Sequence, residues 1–341
     1  MKTIRTQDAV GHVLCHDLTQ IIPGEYKDAR FRKGHIVTEE DIPVLLSMGK
    51  ENLFVWEKTP GMLHEDEAAV RLADLCGAEH FTRSAPKEGK IELKAACDGL
   101  LKVDAARLKA VNAVGQVMIA SRHGNTPVRQ GDKVLGTRVI PLVIAEEQLQ
   151  KAEAAAAGGP LFRILPYRLR RAAIAVTGSE VEKGLIEDQF SPVVRRKLAE
   201  YGMEAVDVRM VGDDPARLTA AILDFIGQGA ELVVCTGGMS VDPDDKTPLG
   251  IRNTGADIVS YGAPVLPGAM FLLAYYGAQR VPVCGLPGCV MYAGRTIFDL
   301  VLPRLAACDP VTADDIAALG EGGLCLGCAN CTWPNCGFGH C

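Results

Sequence analysis

Between Arg171 and Leu305 the chain alternates short apolar runs with amphipathic stretches, and this alternation restricts the fold more than any other feature. Residues 172–176, 205–211, 232–235 and 280–284 read as strands. Residues 257–259 and 270–275 add further extended segments. Ser191-Pro192 is expected to cap a helix reaching Tyr201, with proline in its first turn. Asp214-Pro215 caps the next helix, where Leu218, Ala221, Ile222, Phe225 and Ile226 recur at three- and four-residue steps and form one buried stripe. A last helix is expected over 290–305. Repeated β-α-β units predict an α/β fold: a doubly wound, mainly parallel sheet with helices on both faces. Ligands of such sheets lie at the carboxyl ends of the strands.

Four turns fall on that edge. The apolar run 232–235 enters Thr236-Gly237-Gly238-Met239-Ser240 and then the acidic loop Asp242-Pro243-Asp244-Asp245. Thr177-Gly178-Ser179-Glu180, Gly212-Asp213-Asp214 and Leu286-Pro287-Gly288-Cys289 follow the other strands. Glycine lets backbone N–H groups approach an anion, and carboxylates are hard oxygen ligands for magnesium. Two readings of the glycine turn stay open on these residues: a site for a phosphorylated ligand with a cation, or an ordinary turn beside a solvated acidic loop. Asp242 and Asp244 are assigned to solvent. Lys246 would pair with a phosphate or balance the acids.

The 341 residues suffice for two or three domains, and 48% hydrophobic content supports real cores. A net charge of −6 argues against a general nucleic-acid binder. No apolar run reaches the ~18–20 residues of a membrane span, and the N-terminus has no signal-peptide pattern, so a cytoplasmic location is expected. The chain divides into an α+β segment at 1–60, a β-rich domain at 61–150, a linker at 151–170, the α/β domain at 171–308 and a Cys-rich tail at 309–341. In the mixed, β-rich N-terminal region, helices are expected from Thr38 to Met48, at 66–75 and at 104–111. Strands are expected at 52–56, 91–96, 117–121 and 134–142. His12, His16, His35 and His123 stand isolated and suggest no chemistry.

In their order, the motifs of 171–305 resemble the molybdopterin-binding domain of molybdenum cofactor biosynthesis proteins. Thr177-Gly178-Ser179-Glu180 is similar to that family's TG-x-E turn, and residues 184–188 to its G-x-I-x-D segment. Residues 211–214 take the place of its acidic turn. Thr236-Gly237-Gly238 matches its TGG signature, with Asp245 and Thr247-Pro248 at the family spacing. Pro267-Gly268 and Leu286-Pro287-Gly288 resemble its PG and LPG elements. The resemblance implies a ligand, molybdopterin or its adenylylated form, cradled by Thr177, Gly178, Ser179, Thr236, Gly237, Gly238, Met239, Ser240, Pro287 and Gly288. The N–H groups of 237–240 would lie at a helix N-terminus. Asp213 and Asp245 would hold magnesium, with Glu180 beside them, and these three are the expected catalytic residues.

Residues 9–14 and 31–37 look similar to the start of the longer members, the molybdenumtransferases, which insert molybdate with release of AMP. That activity is the first expectation, a non-catalytic molybdopterin-binding carrier or sensor the second, and an adenylyltransferase the third. This chain departs from the longer members in three ways. It has no P-F-x-x-S-x-M-D-G-Y-A segment, Cys289-Val290 replaces their Asn-Pro, and only about 35 residues follow the α/β domain. A homo-oligomer is expected, with other cofactor-assembly proteins or a molybdoenzyme as partners.

Twelve cysteines are unevenly placed. Cys15, Cys76, Cys97, Cys235, Cys284, Cys289 and Cys308 are scattered, mostly in apolar context, and read as small buried hydrophobes. Cys325, Cys328, Cys331, Cys336 and Cys341 crowd the tail with spacing C-x2-C-x2-C-x4-C-x4-C. Thiolates at every third residue in a glycine-rich coil suit zinc or an iron–sulfur cluster, and five of them do not pair evenly as disulfides. His340 would be able to replace a thiolate, and Trp333 and Phe338 to cover the site.

Overall fold

The computed structural model describes residues 2–22, 25–55, 60–182, 184–185, 187–240 and 246–340, without the side chains of Lys2, Tyr26 and Glu180. The chain groups into two units, one of residues 1–96, 103–122 and 130–163, the other of 97–102, 123–129 and 164–341. The partition differs from a single cut at the Ala-rich stretch after Glu146. That stretch forms a helix, Glu146–Ala155, inside the first unit, and two short segments before it group with the second.

The first unit is β-rich. Strand Lys2–Arg5 pairs antiparallel with Asn52–Val55, and Leu18–Ile22 with Tyr26–Phe31. Leu14, Leu18, Phe31, Val37, Leu45 and Leu53 close a small core beneath them. The expected helix after Thr38 spans Asp41–Ser47. The Thr38 N–H donates to the Asp41 carboxylate at 2.8 Å, and Gly49 (φ +74°) ends the helix. Strands Phe81–Arg83, Lys90–Ala95, Lys133–Val139 and Val117–Ser121 form an antiparallel sheet in that order. Helix Ala105–Ala113 is capped by Asp104.

Helix Glu65–Asp74 has a cap not expected from the sequence. The His64 imidazole accepts the Asp66 N–H, while Glu67 accepts the His64 N–H. Glu65 is buried in its first turn. Burial, then the neighbouring Asp66 charge, push its carboxyl up to about 7. A raised carboxyl pKa means the folded state holds the proton that the unfolded chain releases. The stabilisation is therefore complete below about pH 4.5 and lost as pH rises through about 7. Denaturant midpoints of the first unit should fall across that window, and Glu65→Gln should flatten the fall. An unchanged slope in the variant would refute the assignment.

The second unit carries a six-stranded sheet. Its elements are β1 (Arg171–Val176), α1 (Ser179–Glu182), α2 (Phe190–Ala199), β2 (Glu204–Met210), α3 (Pro215–Gly227), β3 (Leu232–Thr236), α4 (Thr247–Asn253), β4 (Asp257–Tyr261), β5 (Leu272–Tyr276), β6 (Val281–Leu286), α5 (Ile297–Ala306) and α6 (Ala313–Ala318). The strand order is β2-β1-β3-β6-β5-β4. The first three pairings are parallel and the last two antiparallel. Four residues join β5 to β6, too few for a crossover, so that edge turns back on itself. Alternate residues feed the two faces. Ile174 and Val234 join Phe298 and Leu302 on one side; Ala173 and Val233 join Leu218, Ile222 and Phe225 on the other. Among the described residues, no helix is long and apolar enough to cross a membrane.

Two expected boundaries move. Ser191 does not cap α2 but lies within it, and the Asp188 carboxylate accepts the N–H groups of Phe190 and Ser191. The helix expected over 290–305 breaks into a 3-10 turn, Gly288–Met291, and α5. Thr296 and Asp299 form a capping box that starts α5 afresh. Asp299 is also fully buried against Lys197, whose ammonium lies 2.7 and 2.8 Å from its two oxygens.

Candidate functional site

Strand register places the turns together. Met210, Val176, Thr236 and Leu286 are successive parallel partners, so β2, β1, β3 and β6 end level with one another. The segments leaving those ends carry Asp213, Thr177–Ser179, Gly237–Ser240 and Pro287–Gly288. Parallel strands of equal reach supply no backbone partners beyond their carboxyl ends, and such an edge is where this class of sheet takes ligands.

Two of the turns are locked to each other. The Thr177 N–H donates to the Thr236 carbonyl at 2.8 Å, and the Thr177 hydroxyl donates to the same oxygen at 3.0 Å. That hydroxyl also lies 3.1 Å from the hydroxyl of Thr247, the first residue of α4. The Thr247 N–H returns to the Gly238 carbonyl at 3.2 Å. Both glycines are required here. Gly237 has φ +86°, and a Cβ on it would stand 2.7 Å from the Thr177 carbonyl oxygen. Gly238 has φ +54°, and its Cβ would meet the Thr247 hydroxyl at 2.8 Å. The Thr236 hydroxyl is buried and has no partner among the described residues.

Asp213 joins the third turn to the first. Its Oδ2 accepts both the backbone N–H and the hydroxyl of Ser179, each at 2.7 Å. This carboxylate therefore orients the start of α1, while Asp214 separately caps α3 through the Ala216 N–H at 2.8 Å. Gly178 has φ +124°, which lets the chain leave β1 sharply. Glu180 lies in α1.

Other expected residues are placed differently. Met239 has its side chain in the core, packed where Gly285 leaves room, so only its backbone faces the turn. Its carbonyl accepts the Tyr261 hydroxyl at 3.1 Å. Ser240 is exposed. The helix expected to begin at this turn starts only at Thr247, so the N–H groups of 237–240 are not its N-terminus. Asp242, Asp244 and Asp245 lie outside the described residues. Lys246 is exposed, just before α4. Pro287 precedes the 3-10 turn opened by Gly288.

Sequence reasoning passed over Thr247 as a side chain and did not single out Glu182 or Arg217. Thr247 is buried beneath the glycine turn. Glu182, on α1, lies 2.5 Å from the Arg217 guanidinium of α3 and ties the first and third turns together a second time. A hydroxyl's burial has no local sequence signal, whereas the TG-x-E and TP pairs do mark these segments.

Of the scattered cysteines, Cys15, Cys76, Cys235 and Cys284 are buried, Cys97 and Cys289 half-buried, and Cys308 exposed. Burial pushes the thiols of Cys76 and Cys235 up to about 12, leaving them protonated and unreactive at neutral pH.

Comparison with known proteins bears on this edge. Residues 173–307 match the family model described as a probable molybdopterin binding domain, a span that contains all four turns. Residues 3–57 match a model described as a domain of unknown function. A CinA-like protein of Mycolicibacterium vanbaalenii is 39% identical over 138 residues, covering 38% of this chain and 33% of that protein. A CinA-like protein of Mycobacterium tuberculosis is 36% identical over 77 residues, covering 23% of this chain and 18% of its own length. The chain thus spans a third or less of the curated relatives it matches. Among solved structures, the tungsten cofactor synthesizing protein MoaB of Pyrococcus furiosus aligns with TM-score 0.32 and 22% identity, over 40% of this chain and 89% of that one. The protein CinA of Thermoplasma acidophilum aligns with TM-score 0.35 and 17% identity, over 40% and 98%. By the family match, residues 173–307 are similar to molybdopterin-binding domains of the kind related to molybdenum cofactor biosynthesis.

Proposed function

We propose that the carboxyl edge of β1, β2, β3 and β6 binds molybdopterin or its adenylylated form, and that the chain inserts molybdate into it with release of AMP. The observation that supports this most is the family match over 173–307, which embraces every turn on the edge. The locked pair of turns gives a physical reason. Gly237 and Gly238 are held by Thr177 and Thr247 with no Cβ in the way, so their peptide groups can approach an anionic phosphate. Asp213 fixes Ser179 so that its backbone and hydroxyl keep one orientation. Asp213 and Asp245 are the carboxylates that would hold magnesium, consistent with a donor set of hard oxygens. Magnesium, when bound, would neutralise phosphate charge.

Incubation with adenylylated molybdopterin, molybdate and magnesium should release AMP and form metallated cofactor. Absence of both products would sink the proposal. Asp245→Asn should remove AMP release while leaving the circular dichroism spectrum unchanged; turnover at the parental rate would show that Asp245 is not needed.

A second reading is a pterin carrier or sensor. Cys289, half-buried directly after Pro287-Gly288, motivates it, because the resemblance to the longer members implies asparagine at that place. It predicts tight pterin binding with no AMP release. Consumption of ATP with unmodified molybdopterin would instead indicate an adenylyltransferase.

A further inference from the structure

The tail folds back onto the second unit. Leu324 forms a parallel bridge with Leu266, and the Cys325 N–H donates to the Leu266 carbonyl at 2.8 Å. Phe338 is buried in the main core, and the Gly339 N–H donates to the Gly322 carbonyl at 3.0 Å, closing the segment on itself. Side chains of Gly322 and Gly339 would collide with the His340 backbone and with Leu300, so glycine is what permits this closure.

Cys341 lies outside the described residues, and Cys325, Cys328, Cys331 and Cys336 all line one partly open cavity of about 280 Å³. None of the four is in a disulfide; Cys325 and Cys336 are half-buried, and Cys328 and Cys331 exposed. Among the described residues, no three His, Cys, Asp or Glu side chains are grouped so that they could hold a metal ion. A cavity lined by four cysteines separates two metal chemistries. A single tetrahedral zinc with bonds of about 2.3 Å draws four thiolates into mutual contact and leaves no void. An iron–sulfur cube spreads its four thiolates over four irons and places its own sulfides between them, so the thiolates surround a volume.

We propose that Cys325, Cys328, Cys331 and Cys336 ligate a [4Fe–4S] cluster in this cavity. The surroundings suit it. Trp333 and Phe338 line the cavity and shield it from water. Arg295 also lines it, stacked 4.5 Å over the Trp333 ring, and puts a cation beside an anionic cluster. Its guanidinium is held in place by Glu200 and Asp299, each at 2.8 Å. Exposure of Cys328 and Cys331 leaves one side of the cluster open to solvent. His340 is placed for support. Its Nε2 lies 3.0 Å from the Pro334 carbonyl, within the loop that carries the ligands. None of the four cysteines belongs to the turns of the pterin edge, and the proposal does not rest on that reading.

The test is anaerobic reconstitution of the full, metal-free chain with sulfide and equal amounts of ferrous and ferric iron, which together supply the mixed-valence irons of the oxidised cluster. Iron and acid-labile sulfide should bind at about four each per chain, with broad visible absorption that dithionite bleaches. The double variant Cys328→Ser/Cys331→Ser, altering exposed positions only, should lose the cluster and keep its far-UV spectrum. Cys308→Ser, outside the cavity, should retain it. Binding of one metal without sulfide, no bound iron, or a full cluster in the double variant would each overturn the proposal. So would loss of the cluster in Cys341→Ser, because the four named thiols would then not be the ligand set.

Discussion

Replacing Asp299 with alanine is expected to lower the stability of the second unit by about 3–5 kcal/mol, the usual cost of removing one partner of a buried ion pair. Asp299 is 1% exposed and Lys197 5%, so water cannot reach in to replace the lost carboxylate. The variant strands the Lys197 ammonium with the Gly294 carbonyl at 3.0 Å as its remaining contact. It also removes half of the α5 capping box, because the Thr296 N–H donates to Asp299 at 2.7 Å. The pair Lys197→Met/Asp299→Leu should recover much of the loss, since an apolar pair removes the stranded charge. Equilibrium denaturation of the three proteins decides it. A single variant as stable as the parent would mean that the network contributes nothing.

Gly237→Ala carries the second large effect. The new methyl would stand 2.7 Å from the Thr177 carbonyl and 2.8 Å from its hydroxyl, at a φ that L-residues avoid. Strain and overpacking together should cost roughly 2–4 kcal/mol and pry the two locked turns apart. Pterin affinity should then fall beyond detection by calorimetry. Gly255→Ala is the control. Gly255 has φ +80°, but nothing lies within 4 Å of its Cβ, so it bears the conformational cost of about 1 kcal/mol alone. If the two variants were equally stable, contact with Thr177 would not matter.

How much of this was legible in the sequence differs by region, for identifiable reasons. The stripe of α3 and its Asp214 cap were readable because both depend on residues three or four apart. β3 was readable as a continuous apolar run, as a strand buried on both faces must be. The site was half legible. The glycine turns announced themselves, but the clasp of Asp213 on Ser179 joins residues 34 apart, and that of Thr177 on Thr247 residues 70 apart. The break before α5 was missed because apolar residues dominate both ends of 290–305; Gly294-Arg295 and the Thr296–Asp299 box interrupt them. The helix cap at His64 was missed because histidine seldom serves as one.

The sequence by itself determined the parallel half of the sheet, its four glycine or acidic turns and the spacing of the tail cysteines, since each is written in local periodicity or short motifs. Tertiary structure alone decided three things. Strand register brought the turns level. A four-residue link reversed the far edge of the sheet. The bridge from Leu266 to Leu324 wrapped the tail so that four cysteines line one cavity. Each of these depends on backbone groups distant along the chain finding one another, and no local pattern of side chains encodes that pairing.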